Sequence, residues 1–205
     1  MNASRRGRPR AFDDEAVLDQ AMQVFAVKGF SATSLDDLVG ATGLNRPSLY
    51  NAFGNKEGIY RAALARFTGH LDAALGRLVE DEPDLARALG NFYRGALDVY
   101  YSTRPPLGCF LFCTATVEIV VHEDIQADLA RVLRRVDGLL EAKFSAAQAA
   151  GTFAAGADCR LAAQVAQGVL HSLAIRARAG ASRKALERMA DFAVSALVGY
   201  APDAV

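Results

Sequence analysis

The sequence has no surplus of either charge: 23 Lys and Arg balance 23 Asp and Glu across 205 residues, and the isoelectric point is near 6.8. That excludes the protein-wide positive field that draws nucleic acid at long range, so any nucleic-acid function has to rest on local charge. No uninterrupted apolar run reaches about 18 residues, the length a membrane helix needs. The N-terminal stretch also lacks the apolar segment and small-residue cleavage site of a secretory signal, and a cytoplasmic protein without a membrane partner is expected. Cysteine is scarce at three residues, Cys109, Cys113 and Cys159. An odd count in a chain without secretory features excludes a disulfide framework and makes reduced thiols the expectation. Sustained two-residue alternation of apolar and polar side chains is almost missing, which removes the sheet classes. Glycine-rich phosphate loops, His-Glu-x-x-His zinc pairs and G-x-S-x-G elbows are missing too, so no enzymatic chemistry, cofactor or metal is expected.

What is present is apolar residues, 52% of the chain, recurring at helical spacing among Ala, Leu, Arg and Glu. The expected fold is all-α, about nine helices, in an arm and two domains. Residues 1–10 form a basic arm carrying Arg5, Arg6, Arg8 and Arg10 around Gly7 and Pro9. Residues 11–55 hold three short helices. The first is capped by Asp13 and stops at Gly29. The second starts at Thr33 or Ser34, and the third runs from an Asn45 cap to Phe53. Residues 56–205 form a larger body of long helices at 56–80, 84–103, 106–121, 124–150, 158–179 and 182–198, separated by Pro and Gly clusters.

The third short helix, in "GLNRPSLYNAFGNKEGIY", asks what it faces. At about 100° per residue, Leu49 and Phe53 fall together and point inward, Asn51 points away with Pro47 and Ser48 beside it, and Tyr50 lies on a flank. Pro47 is tolerated in the first turn, where its missing N–H has no intrahelical partner. Small polar groups and a flat apolar edge suit base edges in a major groove. Two helices joined by a Gly-containing turn, the second exposing polar residues, match a helix-turn-helix. Thr33, Arg46, Tyr50 and Lys56 are placed to hold phosphates on either side of such a groove.

The stretch "RGRPRAFDDEAVLDQAMQVFAVKGFSATSLDDLVGATGLNRPSLYNAFGNKEGIY" resembles the N-terminal domain of the tetracycline-repressor (TetR) family of bacterial transcriptional regulators. The resemblance implies a DNA-binding domain whose third helix enters the major groove. Carried over by position, it makes Thr33 a phosphate-touching hydroxyl, Arg46, Pro47 and Ser48 the variable opening of the recognition helix, and Tyr50 a phosphate contact. Lys56 becomes the lysine that opens helix four. Val39 and Thr42 depart from the family, which usually has alanine at both. The expected DNA-binding residues are therefore Arg5, Arg6, Arg8, Thr33, Asn45, Arg46, Pro47, Ser48, Tyr50, Asn51 and Lys56. Acids cancel the cations of this domain one for one, so affinity must come from the arm and a polarised face and must weaken with salt.

A single helix-turn-helix covers little DNA, so the body is expected to supply a homodimer contact. Helices 158–179 and 182–198 carry Leu161, Val165, Val169, Leu173, Leu186, Met189, Phe192, Ala193 and Leu197, more apolar surface than one core needs, and the resemblance implies a four-helix bundle with their mates. The resemblance also implies an effector pocket in the body, with Phe67, Tyr93, Tyr100, Cys109, Phe110, Cys113, Glu118 and His171 as candidates. Glu118 and His171 interrupt apolar runs; either lines such a cavity or finds a salt bridge or solvent. Cys109 follows Pro105-Pro106-Leu107-Gly108 at a helix start. It is either a sensing thiol activated by the helix dipole or a packed inert one. Cys113 and His122 raise a metal site only weakly. The expected function is a ligand-responsive repressor released from a palindromic operator by a small molecule or by thiol modification. A helical enzyme, and a binding protein with a vestigial DNA domain, are the alternatives.

Overall fold

The computed structural model describes residues 13–80 and 82–200, with the side chains of 72–75 and 77–80 outside the description. The described residues contain helices and no strand. Helix α1 (Asp14–Lys28) begins where Asp13 accepts the Glu15 N–H at 2.9 Å, and it ends at Gly29 with φ of 78°. Ser34, rather than Thr33, caps α2 (Leu35–Thr42) in a capping box: its hydroxyl accepts the Asp37 N–H, and the Asp37 carboxylate accepts the Ser34 N–H. The Asn45 side chain accepts the Ser48 N–H at 2.9 Å to start α3 (Arg46–Phe53), with Pro47 in its first turn. Asn55 takes the Gly58 N–H at 2.8 Å at the head of α4 (Lys56–Glu80).

Helix α4 is shared between both halves of the molecule. Ile59, Tyr60, Ala63 and Leu64 are buried. The Tyr60 ring meets Phe25 at 5.1 Å and Phe30 at 5.0 Å, closing the N-terminal core with Val17, Ala21, Leu38 and Leu49. Gly58 permits the tight passage from α3 into α4, because a Cβ there would lie 1.9 Å from the Phe53 carbonyl oxygen. Arg66 fastens α4 to α1 by a fork on Asp19 at 2.6 and 2.8 Å.

The body follows with α5 (Leu85–Tyr100), α6 (Phe110–Thr114), α7 (Glu123–Ala149), α8 (Cys159–Arg178) and α9 (Arg183–Val198). Along α5, Leu85, Ala88, Leu89, Phe92, Tyr93, Ala96, Leu97 and Tyr100 are all buried, a continuous helical stripe in which each large side chain contributes roughly 1.5–3 kcal/mol. Leu140 and Phe144 of α7 and Leu170 and Leu173 of α8 complete this core.

One element departs from expectation. The helix expected over 106–121 shrinks to Phe110–Thr114, and residues 115–121 continue as turns. Gly108, at φ of 69°, passes so close to α8 that a Cβ would sit 2.4 Å from the Ala174 carbonyl oxygen, which delays the start. Beyond Thr114 the β-branched run Thr116, Val117, Ile119, Val120 and Val121 favours helix poorly, and Glu118 is drawn away to a partner on the N-terminal domain.

Candidate nucleic-acid interface

Helix α3 presents its polar side outward. Leu49 is fully buried and Phe53 half-buried against the core, whereas Asn45, Arg46, Pro47, Tyr50 and Asn51 are exposed and Ser48 is half-buried. Tyr50 keeps 44% of its surface free. Arg46 leans back on α2, its Nε donating to Asp36 at 3.2 Å, an exposed pair that a phosphate can displace at little cost. Opposite, Asp37 is held at about 2 by the Lys28 ammonium, with the Ser34 donors adding to it. The departures at Val39 and Thr42 are accommodated: Val39 packs partly buried, and the Thr42 hydroxyl donates to the Leu38 carbonyl at 2.7 Å within α2 itself.

Two expected phosphate ligands have other employment. Thr33 is 1% exposed, and its hydroxyl donates to the Gly29 carbonyl at 2.6 Å. Lys56 drives its ammonium into the loop before α2, donating to the Phe30 and Thr33 carbonyls at 3.0 Å each, over the Phe30 ring. Both shape the loop that aims α2 and α3. The Phe30 carbonyl already takes the Thr33 N–H across the turn at 3.2 Å, and Lys56 adds a second, charged donor to it. Arg5, Arg6 and Arg8 lie outside the described residues.

The domain is braced against the body by contacts that sequence reasoning missed. Glu118, 4% exposed, accepts the Ser31 hydroxyl at 2.7 Å and its N–H at 3.2 Å. Tyr60 and Thr114 share a hydroxyl bond at 2.6 Å. His122 pairs with Glu57 at 3.2 Å and sets its ring edge-on to Phe30. Arg178 of α8 donates to the Ala26 and Leu107 carbonyls at 2.9 and 3.0 Å. These partners lie 54 to 152 positions apart in sequence, and nothing local announces them.

Most of the residues expected to line an effector pocket make core contacts. Phe67 and Phe110 border a small cleft of about 180 Å³ beside Met22 and Val99. Tyr93 is buried with its hydroxyl on the Ala166 carbonyl at 3.0 Å, and Tyr100 is buried with its phenol pushed up by desolvation. Glu118 serves the domain junction. His171 rests on Phe112 at 3.7 Å between ring centroids, and burial pulls its imidazole down to about 4. Cys109 has the surroundings of a packed thiol: it is buried, and desolvation pushes it up to about 12, outweighing the backbone N–H groups of the helix start. Cys113, half-buried, is also raised by desolvation. Among the described residues no three His, Cys, Asp or Glu side chains converge as a metal site.

A larger cleft of about 430 Å³ lies instead between α4, α6 and α7, lined by Arg61, Leu64, Leu111, Asp128, Arg131, Val132 and Arg135 among others. Its polar rim had a sequence signal, since Asp124, Asp128, Arg131 and Arg135 recur at four, three and four residues along one face of α7. A second groove, about 440 Å³ and apolar, runs along α8 and α9 beside Leu161, Val165, Ala193, Leu197 and Tyr200. Leu161, Val165, Ile175 and Phe192 stand exposed on these two helices.

A family model described as "Bacterial regulatory proteins, tetR family" matches residues 17–63, and one described as "Tetracyclin repressor-like, C-terminal domain" matches residues 85–193. The chain is similar to the HTH-type transcriptional repressor ComR of Escherichia coli strain K12, 34% identical over 186 residues that cover 90% of this chain and 89% of that protein. It is also similar to the repressor BdcR of the same strain, 31% identical over 105 residues, 51% of this chain and 53% of that one. Among solved structures it is similar to a cysteine-substituted form of the TetR family regulator CifR complexed with 26-bp double-strand operator DNA, at TM-score 0.82 and 29% identity, covering 92% of this chain and 99% of that chain. Matched in its helix-turn-helix and in its helical body alike, the chain belongs to the TetR family of bacterial transcriptional regulators.

Proposed function

We propose that this regulator works as a homodimeric repressor in the cytoplasm. It reads a palindromic operator with α3 and leaves it when a small molecule occupies the body. The observation that carries this is the outward face of α3, where Asn45, Arg46, Pro47, Ser48, Tyr50 and Asn51 form a polar surface over the buried Leu49 anchor. Such a surface offers hydrogen-bonding groups at major-groove reach and phosphate contacts on its flanks, with the arm residues Arg5, Arg6 and Arg8 as a further cationic contribution. The operator complex of the similar CifR supports the reading. Repression, and regulation without enzymatic turnover, is supported by the similar ComR, a transcriptional repressor.

The mate is a second copy seated on α8 and α9. Their outer side carries Leu161, Val165, Ile175 and Phe192 exposed, and an isologous contact through that face hides them and sets two recognition helices about one DNA turn apart. Release by thiol modification finds no support at Cys109, whose thiol is protonated and buried. Selection of bound duplexes from random DNA, with and without a metabolite mixture, tests the reading. An inverted repeat enriched only without metabolites is expected; no enrichment at low salt overturns it.

A further inference from the structure

We propose that the cleft between α1, α4 and the 102–108 loop binds a neutral single-ring molecule carrying one hydroxyl, a phenol or an aryl alcohol. This rests on the reading of the chain as an effector-responsive regulator and supplies the chemistry of its effector. One wall is α1, through Met22 and Ala26; the other is formed by Phe67, Val99 and Phe110. Phe67 and Phe110 stand edge to face with ring centroids 5.7 Å apart, and Met22 brings a thioether, surfaces that favour an aromatic ring over an alkyl chain. None of the described residues lining the cleft is charged, so an ion placed there gives up water without gaining a counter-charge. The polar groups narrow the choice further. The Ser102 hydroxyl already donates to the Val99 carbonyl at 2.8 Å, and the Thr103 hydroxyl to the Pro105 carbonyl at 3.0 Å. Their protons are spent and their lone pairs remain, while Gln23, exposed on α1, adds an amide that donates or accepts. A phenolic O–H therefore meets acceptors, whereas a carboxylate meets hydroxyls whose protons point elsewhere. At about 180 Å³ the space is near the roughly 150 Å³ apolar cavity that takes one benzene ring.

The cleft crosses the seam between the DNA-binding domain and the body. Arg178 of α8 donates to the Ala26 and Leu107 carbonyls at 2.9 and 3.0 Å, so one guanidinium ties together residues from opposite walls. From Phe110 the packing continues to Tyr60 at 5.8 Å between ring centroids, and Tyr60 meets Phe25 and Phe30 in the N-terminal core. A ring wedged between the walls presses α1 away from the loop at the Arg178 bridge and bears on this aromatic chain, which couples occupancy to the orientation of the helix-turn-helix. By linkage, ring and operator weaken each other's binding by one common factor.

The test is calorimetric titration of the full chain with 4-methylphenol, toluene, benzoate and benzylammonium. Binding of 4-methylphenol is expected, with toluene weaker by about fivefold for want of the hydrogen bond and both ions weaker by about tenfold or more. Ser102→Ala with Thr103→Val is expected to cost 4-methylphenol about fivefold and to leave toluene unchanged, a difference that a merely distorted loop would not produce. Val99→Phe fills the cleft and is expected to weaken both rings together; if it lowers helical content, the paired loop variant decides. Absence of 4-methylphenol binding overturns the proposal, as does parity of any other probe with it, full affinity in the paired variant, or equal loss of toluene there. Operator binding by the ligand-free chain is measured separately, so a failure of DNA recognition strikes the preceding reading and leaves the calorimetric answer standing.

Discussion

Burial decides the chemistry of single residues in this protein more than their local sequence does. His171 shows it: desolvation alone lowers its imidazole to about 4 from 6.5, and its Nε2 has no hydrogen-bond partner among the described residues. The unfolded chain takes up the proton first as pH falls below 6.5, so stability is complete above that value and is lost progressively towards about 4. Thermal midpoints recorded across that window should fall more steeply for the parent than for His171→Leu, which has no proton to bind. Parallel curves would show that the imidazole is not held neutral. Glu118 is the second case. Its carboxylate depends on Ser31 for two hydrogen bonds across the domain junction. Ser31→Ala removes the hydroxyl from a carboxylate that is 4% exposed, and should cost about 1–3 kcal/mol in urea unfolding. An unchanged midpoint would mean that water replaces Ser31 freely.

At the scale of elements, the N-terminal helices were legible because their ends are written locally. Asp13, Ser34, Asn45 and Asn55 each satisfy an amide two or three residues ahead, a signal that needs no tertiary partner. The outward face of α3 was legible for the same reason, since helical geometry alone separates Leu49 from Asn51. Separation of roles within α3 can be measured on operator DNA. Arg46→Ala and Tyr50→Ala should each weaken binding to every duplex by about 1–2 kcal/mol and lessen its salt dependence, whereas Asn51→Ala should mainly relax sequence preference. Equal loss across sequences for all three would leave Asn51 without a base contact. Helix α6 was misread because its end depends on Glu118 leaving for Ser31 and on Gly108 wedging against Ala174. Neither partner is near in sequence.

For the whole molecule, the question is what covers α8 and α9. Phe192 remains 77% exposed in the single chain, and apolar side chains of this size clustered on one face mark an interaction surface. Phe192→Asp should shift the protein to monomer in sedimentation and reduce operator affinity without lowering its helical content; a variant that stays dimeric would place the mate elsewhere. The sequence by itself determined the all-helical class, the helix-turn-helix and the polar face of α3, because caps, breaks and helical periodicity act over a few residues. The tertiary structure alone decided which polar groups are free. It turned Thr33 and Lys56 inward onto loop carbonyls, protonated Cys109 by burying it, and brought Arg61 and Arg131 onto the one carboxylate of Asp128. Desolvation and long-range pairing set those outcomes, and both depend on neighbours that only folding brings into contact.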